Sequence, residues 1–96
     1  MMPACVYILA SKKGGTLFIG CTNDIANRME QHRSGKGSQF TEKYRVKRLV
    51  HLEEYDDLDA ARTRERALKK WNRAWKIRLI EEANPDWNDL THRFNR

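Results

Sequence analysis

With 96 residues, 40% of them hydrophobic and 33% charged, the chain can build one hydrophobic core and is too short for two. No apolar run reaches membrane-spanning length, and the start carries no basic stretch leading into an apolar one, which argues against a membrane span and a secretory leader. Nineteen Lys and Arg against 13 Asp and Glu leave a net charge of +6, a balance that favours a polyanionic partner over a merely solvated surface.

The first expected element is a strand over residues 4–10, carrying Val6-Tyr7-Ile8. A polar, glycine-closed turn, Ser11-Lys12-Lys13-Gly14-Gly15, leads to a second strand over 16–21 with Phe18-Ile19-Gly20, so the two form a β-hairpin. Tyr7 and Phe18 share a face only if paired positions sum to an odd number, which requires an even loop or a bulge. Thr22-Asn23-Asp24 then offers caps for a helix running to about 33, with Ile25 and Met29 as its apolar line. Ser34-Gly35-Lys36-Gly37-Ser38 ends that helix and opens a flexible basic loop. A third strand fits 47–55, where Leu49, Val50 and Leu52 carry the hydrophobicity. Asp56-Asp57-Leu58-Asp59 starts a helix over 58–72 with acids where the dipole favours them, and another helix over 73–83 stops before Asn84-Pro85. Residues 84–96 are expected to hold one short turn around 87–90 and otherwise to fray. The order ββαβαα describes a single α/β domain over 1–96, with its core in 4–83: a small three-stranded antiparallel sheet flanked by helices.

Between residues 62 and 78 stand Arg62, Arg64, Arg66, Lys69, Lys70, Arg73, Lys76 and Arg78 against the single acid Glu65. Clustered positive charge suits a nucleic acid, because phosphate contacts release condensed counterions; the plainer reading is a solvated surface. Arg28 and His32 lie one above the other on the first helix. Arg28 there serves either as a bidentate phosphate fork or as a surface partner of Glu30. Glu65 falls on the stripe of Leu58, Ala61 and Leu68, where a carboxylate is unfavourable unless it pairs with an arginine or holds a divalent cation. Tyr7, with an ordinary pKa of roughly 10, is a poor base without a nearby cation and otherwise reads as a packed strand tyrosine. Trp71 and Trp75 read as core packing in preference to base stacking. Cys5 and Cys21 have no metal-ligand spacing and read as reduced, half-buried thiols of a cytoplasmic protein.

Taken in order, Val6-Tyr7-Ile8, Phe18-Ile19-Gly20, the segment from Cys21 through Arg28 to His32, and Ala61-Arg62-Thr63-Arg64-Glu65-Arg66-Ala67-Leu68 resemble the GIY-YIG nuclease superfamily, and in particular its short stand-alone members. The resemblance covers about residues 4–80 and implies a metal-dependent endonuclease that hydrolyses DNA phosphodiesters, in DNA repair or processing. It assigns Tyr7 to the attacking water, Arg28 to the charge developing on the phosphoryl oxygens, His32 to assisting the base or the phosphate, and Glu65 to a Mg²⁺ or Mn²⁺ ion. Phe18, Gly20, Lys36, Lys69, Lys70 and Arg73 are the expected substrate contacts. Phe18 stands where the second motif has a tyrosine and so lacks its hydroxyl; Cys21 stands where some members carry lysine. Asn84 is the candidate for the family's late asparagine. DNA is the expected partner, with RNA as an alternative, a protein partner for targeting, and no membrane. The rival reading is a nucleic-acid-binding or partner-dependent interaction module on the same fold.

Overall fold

The segment Ala4–Ala10 consists of apolar and aromatic residues only, so a strand there is stable only when both of its faces are covered. The computed structural model, which describes residues 4–93, covers it on both sides. The elements are β1 (Ala4–Ala10), β2 (Leu17–Thr22), α1 (Ile25–Arg33), α2 (Gln39–Lys43), β3 (Arg48–Tyr55), α3 (Leu58–Lys70), α4 (Arg73–Ala83) and a closing 3₁₀ turn, Leu90–Arg93. The sheet is antiparallel in the order β2-β1-β3, with β1 in the centre. On one face Ala4, Val6, Ile8 and Ala10 pack with Ile19 and Val50 against Ala61, Leu68 and Ile80 of α3 and α4. On the other, Cys5, Tyr7 and Leu9 pack with Ile25 and Met29 of α1, and with Val46, Leu49 and Leu90.

Register follows from the turn. Tyr7 pairs with Gly20 and Leu9 with Phe18, so Tyr7 and Phe18 do share a face. The six-residue connection closes with Ser11 N–H donating to the Thr16 carbonyl and Thr16 N–H to Ser11 Oγ. A bulge between Ile8 and Leu9 breaks the pairing of β1 with β3, which puts both Leu49 and Leu52 on the α1 face while Val50 turns to the other. Asp24, Ser38, Asp57 and Asn72 cap α1 to α4 through their side-chain oxygens.

Four expectations need correction. The loop after α1 contains a further helix, α2, so the order is ββααβαα; a helix of this length has no hydrophobic period to read, and it forms because Thr41 is buried against α1. The helix expected over 58–72 ends at Lys70, because Trp71 and the cap Asn72 are extended. Residues 84–93 do not fray: Trp87 is 0% exposed in the core, and Arg33 of α1 donates to both Asp89 and Thr91. Residues 94–96 of the expected tail lie outside the described residues. The tryptophan pair divides, with Trp71 packed on the core and Trp75 52% exposed against its edge.

One half-buried ionic cluster ties α3 to β3. Glu53 accepts from Arg64 Nε at 2.9 Å and Nη2 at 3.1 Å, from the Tyr55 hydroxyl at 2.7 Å, and lies 2.8 Å from His51 Nε2. Burial pushes the Glu53 carboxyl up, but the hydrogen bonds from His51, Arg64 and Tyr55 outweigh it and hold the pKa at about 2. A carboxyl held below its unfolded value stabilises the fold above that value and ceases to as pH falls toward the folded one. We therefore expect Glu53 to contribute about 2–3 kcal/mol at neutral pH that disappears between about pH 4.5 and 2. Urea unfolding across that range should show this slope in the parent chain and its loss in Glu53→Gln; identical slopes would refute the assignment.

Candidate active site

Tyr7, in the middle of the central strand, is fully buried, and its ring lies across Gly20 of the edge strand β2. A Cβ at Gly20 would sit 2.5 Å from Tyr7 Oη and 2.6 Å from Cζ, so only glycine leaves room for this ring. The hydroxyl meets His32 Nε2 at 3.2 Å, and His32 in turn contacts Thr41 Oγ1 through Nδ1 at 3.1 Å. Phe18 packs edge-on against the imidazole, with ring centres 5.5 Å apart. Gly20→Ala is expected to force the tyrosine ring off His32 and to lower stability by about 1–3 kcal/mol, through overpacking. Urea unfolding together with the tyrosine fluorescence would register both changes; an unshifted midpoint would contradict this close fit.

Charges reach this hydroxyl from both faces of the sheet. Burial pushes the Tyr7 pKa up to about 12; Arg28 opposes that rise and Glu65 adds to it. Burial and the Arg28 charge both lower the His32 pKa, so the imidazole is neutral at neutral pH. Arg28 is half-buried on α1 and takes part in none of the ion pairs among the described residues, Glu30 included. Glu65 approaches from α3 on the opposite face, beside Cys21. The Cys21 thiol is raised by partial burial and by Glu65, and lowered by Arg62. Cys5, fully buried on β1, is pushed up to about 12 mainly by desolvation and is inert as a nucleophile.

Glu65 is also 3.1 Å from Lys69, and that lysine lines a hollow of about 280 Å³ with Leu17, Phe18, Ile19, Phe40 and Lys76. From it an aromatic series runs outward, Phe18 to Phe40 at 6.1 Å and Phe40 to Tyr44 at 4.8 Å. Phe40 is 42% and Tyr44 46% exposed, and Lys43 lies over the Tyr44 ring. Phe40, Thr41 and Tyr44 were not singled out in the sequence; their one local signal is an aromatic residue on each side of Thr41-Glu42-Lys43 after a Gly-Ser cap.

The expected substrate contacts are placed differently from one another. Phe18, Gly20 and Lys69 gather at the β2 edge, as described. Lys36 lines a separate hollow with Ser38, Gln39, Glu42 and Lys43, on the loop side of α2. Lys70 is exposed at the end of α3. Arg73, though exposed, donates to the carbonyls of Gly14 at 2.7 Å and Gly15 at 2.6 Å, and so fastens the hairpin turn to α4. Asn84 is structural as well: its amide donates to the Val50 and Asn88 carbonyls and accepts from Asn88 N–H, joining the end of α4 to β3. Among the described residues no group of three or more His, Cys, Asp or Glu side chains could hold a metal ion, so a zinc-like cage does not fit. A single half-buried carboxylate does fit a hard cation of the magnesium type, which keeps waters and shares phosphate oxygens with the substrate.

The fold is thus a small α/β domain in which a three-stranded antiparallel sheet, covered by helices, brings Tyr7 and His32 together at its centre. A family model described as the GIY-YIG catalytic domain matches residues 3–78, and the chain belongs to that family. Its relatives within it are UPF0213 proteins. One from Syntrophus aciditrophicus is 43% identical over 82 residues, which is 84% of this chain and 92% of the relative. One from Natronomonas pharaonis is 36% identical over 77 residues, covering 80% and 89%. The solution NMR structure of a UPF0213 protein from Bacillus halodurans superimposes with a TM-score of 0.56 at 29% identity, covering 90% of each chain. GIY-YIG nucleases as a family act on nucleic acids and generally use divalent metal ions. No helix among the described residues is long and apolar enough to cross a membrane.

Proposed function

We propose that this chain is a metal-dependent endonuclease that hydrolyses DNA phosphodiester bonds, in DNA repair or processing. The observation that supports this reading is the hydrogen bond of the buried Tyr7 hydroxyl to His32 Nε2, with the charges of Arg28 and Glu65 both felt by that hydroxyl. Tyr7 takes the proton of the attacking water as its own proton passes to His32 Nε2, leaving hydroxide at phosphorus and an imidazolium beside it. Arg28 holds the phosphoryl oxygens and offsets the charge that develops on them. Glu65 would hold Mg²⁺ or Mn²⁺, which when bound supplies charge neutralisation at the scissile phosphate and the leaving oxygen. Lys69, released from Glu65, turns to a neighbouring phosphate together with Lys76. Phe40 and Tyr44 provide faces on which an unpaired base stacks, so the strand lies across the hollow beside Phe18. This chemistry requires water to reach the Tyr7 hydroxyl, which is fully buried beside Phe18 and His32.

The burial of Tyr7 and the hydroxyl missing from Phe18 favour one rival, a nucleic-acid-binding module without catalysis. Incubating the purified chain with duplex, branched and single-stranded DNA in Mg²⁺, Mn²⁺ or chelator separates the two. Cleavage with metal and none with chelator is the expected result. Binding without cutting under every metal would leave the binding module. The same assay on RNA decides whether the substrate class is wider than DNA.

A further inference from the structure

We propose that Thr41 is a positioning residue: it holds His32 in the tautomer whose proton is on Nδ1, so that Nε2 faces Tyr7 as an acceptor. The role in proton transfer rests on the nuclease reading above; the tautomer itself does not.

His32 and Thr41 are each 1% exposed, so water plays no part in settling their protons. A neutral imidazole has one N–H, and its two nitrogens here each have one partner, Tyr7 Oη and Thr41 Oγ1. Thr41 has a single hydroxyl proton. Its Oγ1 lies 3.3 Å from the Ser38 carbonyl, which can only accept, and 3.0 Å from Ser38 Oγ, which already accepts from Thr41 N–H. When the Thr41 hydroxyl donates to the Ser38 carbonyl it offers only lone pairs to His32, and in that arrangement Nδ1 carries the proton. The other end of the chain agrees. Tyr7 Oη has one hydrogen-bond partner among the described residues, His32 Nε2. The phenolic proton is therefore directed to Nε2, and the opposite tautomer would leave it without a partner in a dry site. The hydrogen bonds run in one direction: Tyr7 O–H to His32 Nε2, His32 Nδ1–H to Thr41 Oγ1, and Thr41 O–H to Ser38.

The loop is shaped to this end. A Cβ at Gly37 would overlap His32 Nδ1 and lie 2.8 Å from Cε1 and Cγ, so the bare backbone of Gly37 covers the ring and keeps it from turning over. Ser38 is also the cap of α2, and the turn that presents Thr41 to the histidine is the one that this cap starts.

Long-range proton–nitrogen correlation spectra of the full chain labelled with ¹⁵N-histidine, at about pH 8 where histidine is neutral, read the tautomer directly. The His32 signals are those absent from His32→Asn. The parent chain is expected to show a protonated Nδ1 and a bare Nε2. Thr41→Val should convert His32 to the Nε2–H form or to a mixture, and Thr41→Ser should restore the parent pattern. A parent chain with Nε2–H, or Thr41→Val with an unchanged pattern, would overturn the proposal; the parent spectrum decides it even if Thr41→Val does not fold. In the nicking assay Thr41→Val should lower kcat by about 10- to 100-fold with KM unchanged, the share of acid–base catalysis that depends on a correctly protonated partner, and Thr41→Ser should recover it. A changed tautomer with unchanged kcat would overturn the positioning role. A parent chain that never cuts but shows the Nδ1–H form would remove the nuclease reading and support the tautomer assignment.

Discussion

Arg28→Ala is expected to lower the rate of DNA nicking by about two to three orders of magnitude, the usual size of losing one preorganised donor to a charge that forms in the transition state. Its stability should stay close to the parent's, because Arg28 takes part in none of the ion pairs among the described residues and its side chain leaves the core edge. A second readout separates this role from general damage. Arg28 lowers the His32 pKa, so removing it makes the imidazole easier to protonate. The rise in rate with pH, which requires neutral His32, should therefore move to higher pH in the variant. Glu65→Gln should lose activity as deeply for a different reason: it keeps shape but removes the negative charge expected to hold the cation, so residual cutting should demand far more Mg²⁺. Metal titrations should then distinguish the two variants, Arg28→Ala keeping the parent's metal midpoint. Nicking rates within threefold of the parent for both variants would sink the catalytic assignment.

Trp87→Ala is expected to produce the largest loss of stability, about 3–5 kcal/mol. The indole is wholly buried in the cluster of Ala4, Val6, Ile8, Val50 and Ile80, and its Nε1–H donates to Glu81 at 2.8 Å. Truncation leaves a cavity the size of a bicyclic ring and an unpaired carboxylate beside it. The loss is a large share of the total stability of a domain this small, and the melting temperature should fall by roughly 15–25 °C. Part of it is offset: Trp87 has φ of 58°, a left-handed backbone that bulky residues rarely adopt, and alanine tolerates it slightly better. Trp75→Ala, on the exposed side of α4, is the matched control and should change stability by less than about 0.5 kcal/mol. A Trp87 variant within 1 kcal/mol or so of the parent would mean that residues 84–93 contribute little to the core.

The parts of the molecule that were readable in advance are those with strong local pattern. An apolar run bounded by a glycine turn marks β1 at its observed limits, and helix α4 begins and ends at its Asn caps as expected. The spacing of Arg28 and His32 puts both on one face of α1, and the position of Glu65 within an apolar stripe marks it as unusual. What escaped has no such pattern. Helix α2 is a single turn in a glycine-rich stretch, and such a turn is stable only once its Thr41 is docked under His32. Trp87 follows a proline in a segment without periodicity, and its place exists only after β1, β3 and α4 have formed the walls. The basic run over 62–78 looked uniform in sequence. Tertiary contacts divide it, committing Arg64 to Glu53 and Arg73 to the hairpin turn.

By itself, then, the sequence determined the sheet, helices α1, α3 and α4 and the candidate groups for the site, because hydrophobic period, caps and residue type act over short stretches of chain. Only the tertiary structure decided which of those groups meet. Tyr7 meets His32 in the space that Gly20 leaves across the strand, and the odd-sum hairpin register sets Phe18 on the same face, against the imidazole. Such contacts join residues tens of positions apart. They depend on burial, which sets the proton positions and pKa values, and burial is a property of the packed chain and not of any one segment.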